Sequence, residues 1–322
     1  MHLFKNTDKC QALFKNVHTN PADILCKKSL KTFSSFIKLE SFKLATDCRV
    51  IIEKSYKLEN KPKKDVDMQI YVCVKHVPDT AVNIKVTGKD SFDESVDFVI
   101  NPYDEYAIEQ AVQIREKEGG EVIIVTVGKE AALKTVRSAL AVGGDRGIFV
   151  KTDAHFLDST LVSQAIKKVI EDDGTPDMIF TGKQSVDAEG MQVHYRLAAG
   201  FDMPIASDVA AFSMSDGKVT VEREVGGGTR EVIEMSLPCV VAATKGLNEP
   251  RYANIPSIMK AKKKKVAQFD IADMGLDSGS DGAELNELRP FPDKGKAKMI
   301  EGTPAEMAEE LVKLLKDEAK AL

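Results

Sequence analysis

From residue 68 to residue 205, short apolar, β-branched runs alternate with stretches whose apolar positions recur every three or four residues. The runs predict strands at 69–75, 122–127, 147–151 and 177–181, and the recurring stretches predict helices at about 103–118, 130–142, 158–172 and 189–200. Such alternation implies a parallel sheet covered by helices. The helix near 103 carries the fullest set of signals. Asn101 can cap it, Pro102 suits its first position, and Asp104 and Glu105 favour its N-terminal dipole. Ala107, Ile108, Ala111, Val112 and Ile114 supply one apolar face, and Gly119-Gly120 ends it. Beyond residue 205 the period drops to two. Val219, Val221, Arg223 and Val225 alternate with polar neighbours, Gly226 to Gly228 turn the chain, and Val232 and Glu234 run back as an antiparallel hairpin. Residues 237–244 read as a buried strand returning to the sheet, and 266–302, rich in Gly, Asp and Pro, as an extended arm. Thr303-Pro304 with Glu306 then starts a helix whose face is Met307, Ala308, Leu311, Leu314 and Leu315. The expected class is therefore α/β: an open, mostly parallel sheet flanked by helices, with an antiparallel hairpin and a C-terminal extended arm plus helix.

Residues 1–67 follow no such pattern. Their lysines recur without a face, and Glu59 to Asp65 reads as a solvated linker. Met68 stands directly before the first strand, so the expectation is that Met68 is the natural start and that 1–67 is translated upstream sequence. A mitochondrial presequence fits poorly, because the segment holds one arginine, Arg49, against eight acids; a genuine, weakly ordered extension stays open. The chain thus divides into an extension at 1–67, an α/β domain at 68–265 that includes a segment at 245–265, and an arm with its helix at 266–322.

Charge sharpens this division. The net charge of −5 over 322 residues splits into +6 for 1–67 and −11 for the remainder. An acidic body argues against nucleic acid as the main partner. With 43% apolar and 30% charged residues the chain can build a sizeable core, yet no apolar run approaches the roughly 18 residues that insert in a bilayer. Of five cysteines, Cys10, Cys26 and Cys48 fall in the extension and only Cys73 and Cys239 in the body. With no Cys-x-x-Cys and no metal-like histidine spacing, neither a disulfide scaffold nor a metal site is expected, and a cytoplasmic location fits.

In an open parallel sheet, ligands collect where strand ends feed helix starts. Three loops qualify, at 74–79, 127–128 and 181–192. None is a P-loop or a Gly-x-Gly-x-x-Gly turn, and no Ser-His-Asp or paired-carboxylate set assembles, so no catalytic residue is assigned. A separate feature lies at 254–265. Ile255, Ile258 and Met259 form a small apolar face behind Pro256, followed by five lysines between Lys260 and Lys265.

The stretch Leu247-Asn-Glu-Pro-Arg-Tyr-Ala253, continued through Ile255-Pro-Ser-Ile-Met-Lys260 and the lysines to 265, closely resembles the β subunit of electron transfer flavoprotein, the family that includes FixA. The agreement extends to Val72-Cys-Val-Lys-His-Val-Pro-Asp79, Asn101-Pro102, Ala139 to Arg146, Gly182-Lys-Gln184 with Asp187, and Val221-Glu-Arg-Glu224, and so covers about 68–277. The resemblance implies a nucleotide-binding-like α/β domain paired with an α subunit that holds most of an FAD. It also implies a structural AMP in this subunit, or a second FAD in electron-bifurcating members that oxidise NADH. By the same resemblance, electrons pass from flavin dehydrogenases, such as acyl-CoA dehydrogenases, to a membrane quinone oxidoreductase or another acceptor. The implied nucleotide pocket uses Cys73, then Asn101, Pro102, Tyr103 and Asp104, then Val127. It continues through Gly182, Lys183, Gln184, Ser185, Val186, Asp187, Ala188, Glu189, Gly190, Met191, Gln192 and Val193. Cys73 and Val127 are equally readable as core residues. Arg223 and Glu224 are implied at the interface with the α subunit, and Ile255, Lys260 and Lys263 in a segment that docks dehydrogenases, with Ile255 as aliphatic anchor and the lysines steering acidic partners. The chain departs from the family at Met191-Gln-Val-His-Tyr-Arg196, where conventional members end a small-residue phosphate loop in glycine. His194 and Arg196 there read either as side-chain cations for a phosphate or as surface helix residues.

Overall fold

The computed structural model describes residues 68–154, 156–276, 282–290, 295 and 297–322; the expected extension at 1–67 lies outside the described residues. In chain order the elements are β1 (Gln69–Cys73), β2 (His76–Pro78), β3 (Phe98–Ile100), α1 (Pro102–Glu118), β4 (Glu121–Gly128) and α2 (Leu133–Val142). There follow β5 (Arg146–Lys151), α3 (Ser159–Asp173), β6 (Met178–Gly182), α4 (Val193–Phe201), β7 (Ile205–Ser215), β8 (Lys218–Gly226) and β9 (Thr229–Ser236). The last are β10 (Cys239–Ala243), α5 (Ile255–Ala261), β11 (Val266–Asp270) and α6 (Pro304–Asp317). One nine-stranded sheet runs β11-β5-β4-β1-β6-β10-β7-β8-β9. It is parallel from β11 to β7 and antiparallel through β8 and β9, which bears out the expected α/β architecture.

Alternation along the strands sends side chains to two cores. Ile70, Val72, Ile124 and Phe180 meet Ala107, Ile108, Ala111 and Val112 of α1 and Val136, Ala139 and Leu140 of α2. On the opposite face Tyr71, Ile123, Val125 and Ile179 meet Ala165, Ile166, Val169 and Ile170 of α3 and Leu197 and Ala198 of α4. Strands covered on both faces read as continuous apolar runs, which is why the central ones were so legible.

The differences from the sequence reading have local causes. The small antiparallel pair β2–β3 was not foreseen, because three-residue strands are too short to show a period. The helix expected from 189 begins only at Val193, since Glu189 and Met191 take left-handed φ values of 48° and 51°. The hairpin turns at Gly226, Gly227 and Gly228, all at positive φ, as expected; its apolar face stops at Val221, and Val225 is exposed. Residues 266–270, where the arm was expected to begin, add β11 to the sheet edge beside β5.

Between β10 and β11 the chain crosses the face covered by α1 and α2 as a fastened strap. Arg251 donates to Glu109 Oε2 through Nε at 2.7 Å and to Glu109 Oε1 through Nη2 at 3.0 Å, and its Nη1 and Nη2 reach Glu116 at 2.6 and 3.0 Å. Further along, Arg137 of α2 donates to the carbonyls of Ala261 at 2.9 Å and Lys264 at 2.6 Å, and Lys264 Nζ donates to the Leu140 carbonyl at 3.0 Å. At the other end of the described chain, α6 is capped by a reciprocal Thr303–Glu306 pair and buries none of its residues. Among the described residues no helix is long and apolar enough to cross a membrane.

Candidate functional site

The chain builds outward from β1 to β4 and β5, then returns through α3 to place β6 on the other side of β1. Loops leaving β1 and β6 therefore diverge, and such a reversal opens a crevice at the carboxyl ends of the strands. Most of the sequence-predicted site residues meet there. Cys73 closes β1 and is buried, and burial, helped by nearby Asp104, pushes its thiol pKa upward. Gly182 closes β6 against the head of α1. A Cβ on Gly182 would lie 2.6 Å from Tyr103 Cβ and would strike Asp104 Oδ1, so only glycine lets the strand end approach this closely.

Asn101 stands at the cap position but makes no capping bond. Its side chain instead reaches across the crevice: Nδ2 donates to the Gln184 carbonyl at 2.9 Å, and Oδ1 accepts from the Val186 amide at 3.1 Å. Asp104, only 5% exposed, accepts from the Lys75 amide at 2.7 Å, the Asn101 side chain at 2.9 Å and the Gly182 amide at 3.0 Å. Lys75, which the sequence reading did not single out, joins the loop from the other side. Its Nζ lies 2.7 Å from Asp187 Oδ1 and 3.3 Å from Ser185 Oγ. Lys183 pairs with Asp208 at 3.1 Å and lies over the Tyr103 ring. Its neighbours from Ala188 to Gln192 carry the loop to Val193, the first residue of α4, while Val127 sits half-buried near the end of β4.

The start of α4 has no side-chain cap and no acid in its first turn, so its leading amides are open to an acceptor. Close by in the chain, His194 corrects both sequence readings of that residue. It is 2% exposed, and burial pushes its pKa down to about 4, leaving a neutral imidazole in place of a cation or a surface side chain. Nε2 of His194 has no partner, and neither does Thr181 Oγ1 on β6 or Thr126 Oγ1 on β4. Buried polar atoms left without a partner cost roughly 1–3 kcal/mol each, so Thr181 and His194, on the face that α3 and α4 cover, mark a place where a polar ligand would be satisfied, while Thr126 lies on the opposite face of the sheet. Arg196 is exposed and donates to Gln192 Oε1 at 2.9 Å. A threonine ending a buried strand was the available sequence signal for these groups, but any hydroxyl partner within the fold would have erased it.

The remaining predicted residues lie elsewhere. Arg223 and Glu224 are on β8, in the antiparallel extension, 3.8 and 3.7 Å from Glu231 and Arg230 on β9. Ile255 and Lys260 are on α5 and Lys263 just beyond it, all on the strap. Asn254 caps α5 by accepting from the Ser257 amide at 2.9 Å, which turns Ile255 outward at 78% exposure beside Tyr252, Ile258 and Met259. Of the five lysines, Lys264 is tucked onto α2 and the other four stay exposed.

Comparison with known proteins identifies the family. Residues 91–274 match the electron transfer flavoprotein domain. The chain is 39% identical over 260 residues to the electron transfer flavoprotein subunit beta of Bacillus subtilis, covering 79% of this chain and 100% of that protein. It is 37% identical over 259 residues to the mitochondrial subunit beta of Arabidopsis thaliana, covering 78% and 99%, and 34% identical over 265 residues to Protein FixA of Sinorhizobium fredii, covering 76% and 92%. A family match across more than half of the chain, joined to near-complete coverage of these relatives, means that the chain belongs to the electron transfer flavoprotein β-subunit family, which includes FixA.

Proposed function

We propose that this chain is the β subunit of a heterodimeric electron carrier. It pairs with an α subunit that holds most of an FAD, keeps a structural AMP in the crevice between β1 and β6, and offers its strap to flavin dehydrogenases such as acyl-CoA dehydrogenases. The electrons leave for a quinone oxidoreductase or another acceptor. The FAD supplies the redox chemistry; this chain binds, orients and docks, and makes or breaks no covalent bond. A cytoplasmic setting suits the unpaired, buried thiols of Cys73 and Cys239 among the described residues.

The observations that carry the nucleotide assignment are two unpartnered buried atoms, Thr181 Oγ1 near the end of β6 and His194 Nε2 in the first turn of α4, together with the uncapped start of that helix. A hydroxyl and a neutral imidazole match the hydrogen-bonding edges of a ribose or an adenine. An uncapped helix start matches a phosphate. Gly182, Asn101 and Asp187 would then shape the loop over it.

Acid release of nucleotides from the purified heterodimer tests this reading. One FAD and one AMP per heterodimer are expected. Two FAD and no AMP would overturn the carrier reading in favour of a bifurcating protein that oxidises NADH, and no adenine nucleotide at all would remove the crevice from the binding site.

A further inference from the structure

All three groups that donate to Asp104 are N–H donors, and an N–H cannot accept. Oδ1 takes Gly182 N and Asn101 Nδ2, and Oδ2 takes Lys75 N. A single buried carboxylate therefore ties the end of β1, the end of β6 and the head of α1 together. Asn101, which it holds, passes the connection to Gln184 and Val186. Lys75, whose backbone it holds, passes it to Ser185 and Asp187.

We propose that Asp104 is a positioning residue that works as a proton-operated latch on the crevice loop at 182–187. Ionised, it holds the loop to β1. Protonation forms an O–H bond on Oδ2, where one hydrogen bond is lost instead of two, and the Lys75 amide is released because a hydroxyl facing an N–H has nothing to accept. The proton comes from solvent. The proposal rests on the nucleotide reading above only for what the loop covers.

The titratable groups around the latch are Cys73 at the end of β1 and Lys75 just beyond it, Lys183 and Asp187 from the loop, Cys239 on the same face of β10, and Tyr103 beside it on α1. From β4 and α2 that face receives Val122, Ile124, Val136 and Leu140. Burial outweighs the donated hydrogen bonds and pushes the Asp104 carboxyl up to about 7, so the latch works across neutral pH.

The test is backbone amide exchange on the full-length protein from pH 5.5 to 8.5, read by mass spectrometry with the chemical exchange rate divided out, beside the Asp104→Asn variant. For a group titrating near 7 the ionised fraction falls about tenfold from pH 8 to pH 6. Protection at Lys75 should fall by a similar factor in the wild type, while Gly182, still bonded to Oδ1, keeps its own as an internal reference, and in the variant Lys75 should be weakly protected independently of pH. A flat wild-type profile overturns the latch, as does a variant that keeps the wild-type pH dependence. If the variant does not fold, the wild-type series decides alone. Nucleotide retained after gel filtration separates the two readings: nucleotide-free protein with pH-dependent exchange upholds the latch and overturns the nucleotide assignment, whereas bound nucleotide with flat exchange overturns the latch.

Discussion

Replacing Arg251 by methionine keeps much of its apolar stem and removes the guanidinium that rivets the strap to α1. Glu109 is 3% exposed. Its carboxyl pKa is held below the usual range because the Arg251 hydrogen bonds outweigh the cost of burial. Without Arg251 that carboxylate is left nearly dry, with Gln113 Nε2, 2.8 Å away, as its remaining side-chain donor. Breaking one side of a buried ion pair costs about 3–5 kcal/mol. The Arg251 side chain is itself 37% exposed, and the Glu116 arm is open to water and contributes about 0–1 kcal/mol. A net loss of about 2–3 kcal/mol is expected from Arg251→Met, measured by urea unfolding at fixed protein concentration. Glu109→Gln alone should cost a similar amount, and the double variant distinctly less than the sum, because the second change removes the stranded charge. Strict additivity, or a loss below about 0.5 kcal/mol for Arg251→Met, would refute the assignment of this pair as the rivet.

Three further outcomes are expected. Ile255→Ala should weaken dehydrogenase docking by about 1.5–3 kcal/mol through faster dissociation. Lys260→Gln with Lys263→Gln should instead slow association and flatten its salt dependence; stopped-flow electron transfer across a salt series separates the two, and wild-type affinity in Ile255→Ala would sink the anchor. Gly182→Ala, which drives a methyl into Tyr103 and Asp104, should cost about 1–3 kcal/mol and lower nucleotide content; unchanged melting would contradict the close approach. Asp104 keeps its proton up to about 7 when folded but releases it near 3.8 when unfolded, so in that window the folded state binds more protons and this group's contribution falls as pH rises. His194, pushed down to about 4, contributes in the opposite sense between about 4 and 6.5. The wild type should therefore lose stability relative to Asp104→Asn on going from pH 5 to pH 7, by at most about 1.4 kcal/mol per unit, and parallel curves would refute the shift.

Periodicity reports which face of an element is apolar, and where faces are buried on both sides, as in β1, β4 and β6, strand and helix order could be read directly. The site was legible only as a set of loops. Asn101 looked like a cap because capping is a local signal, yet its side chain serves residues 83 and 85 positions away. Asp104 looked like a dipole-favouring acid, and its Gly182 partner is 78 positions distant. Those encounters are created by the crossing of the chain from β5 to β6, which no local pattern encodes. Arg196 was accessible to sequence reasoning as a charge; the burial of His194 was not, because one polar residue in the first turn of a nine-residue helix carries no period of its own.

The strap has a consequence for the thermodynamics of encounter. A free surface loop must surrender its conformational freedom when a partner settles on it, and each rotamer-rich side chain held still costs about 0.5–1.5 kcal/mol in addition. Here the backbone on either side of Ile255 is already immobilised, by Arg251 before it and by Arg137 and Lys264 after it. The entropy was surrendered when the chain folded. On the docking role proposed for the strap, a partner would meet a rigid ridge bearing one protruding aliphatic group, so recognition could rest on a small contact and still be selective, and the complex could part quickly once an electron had passed.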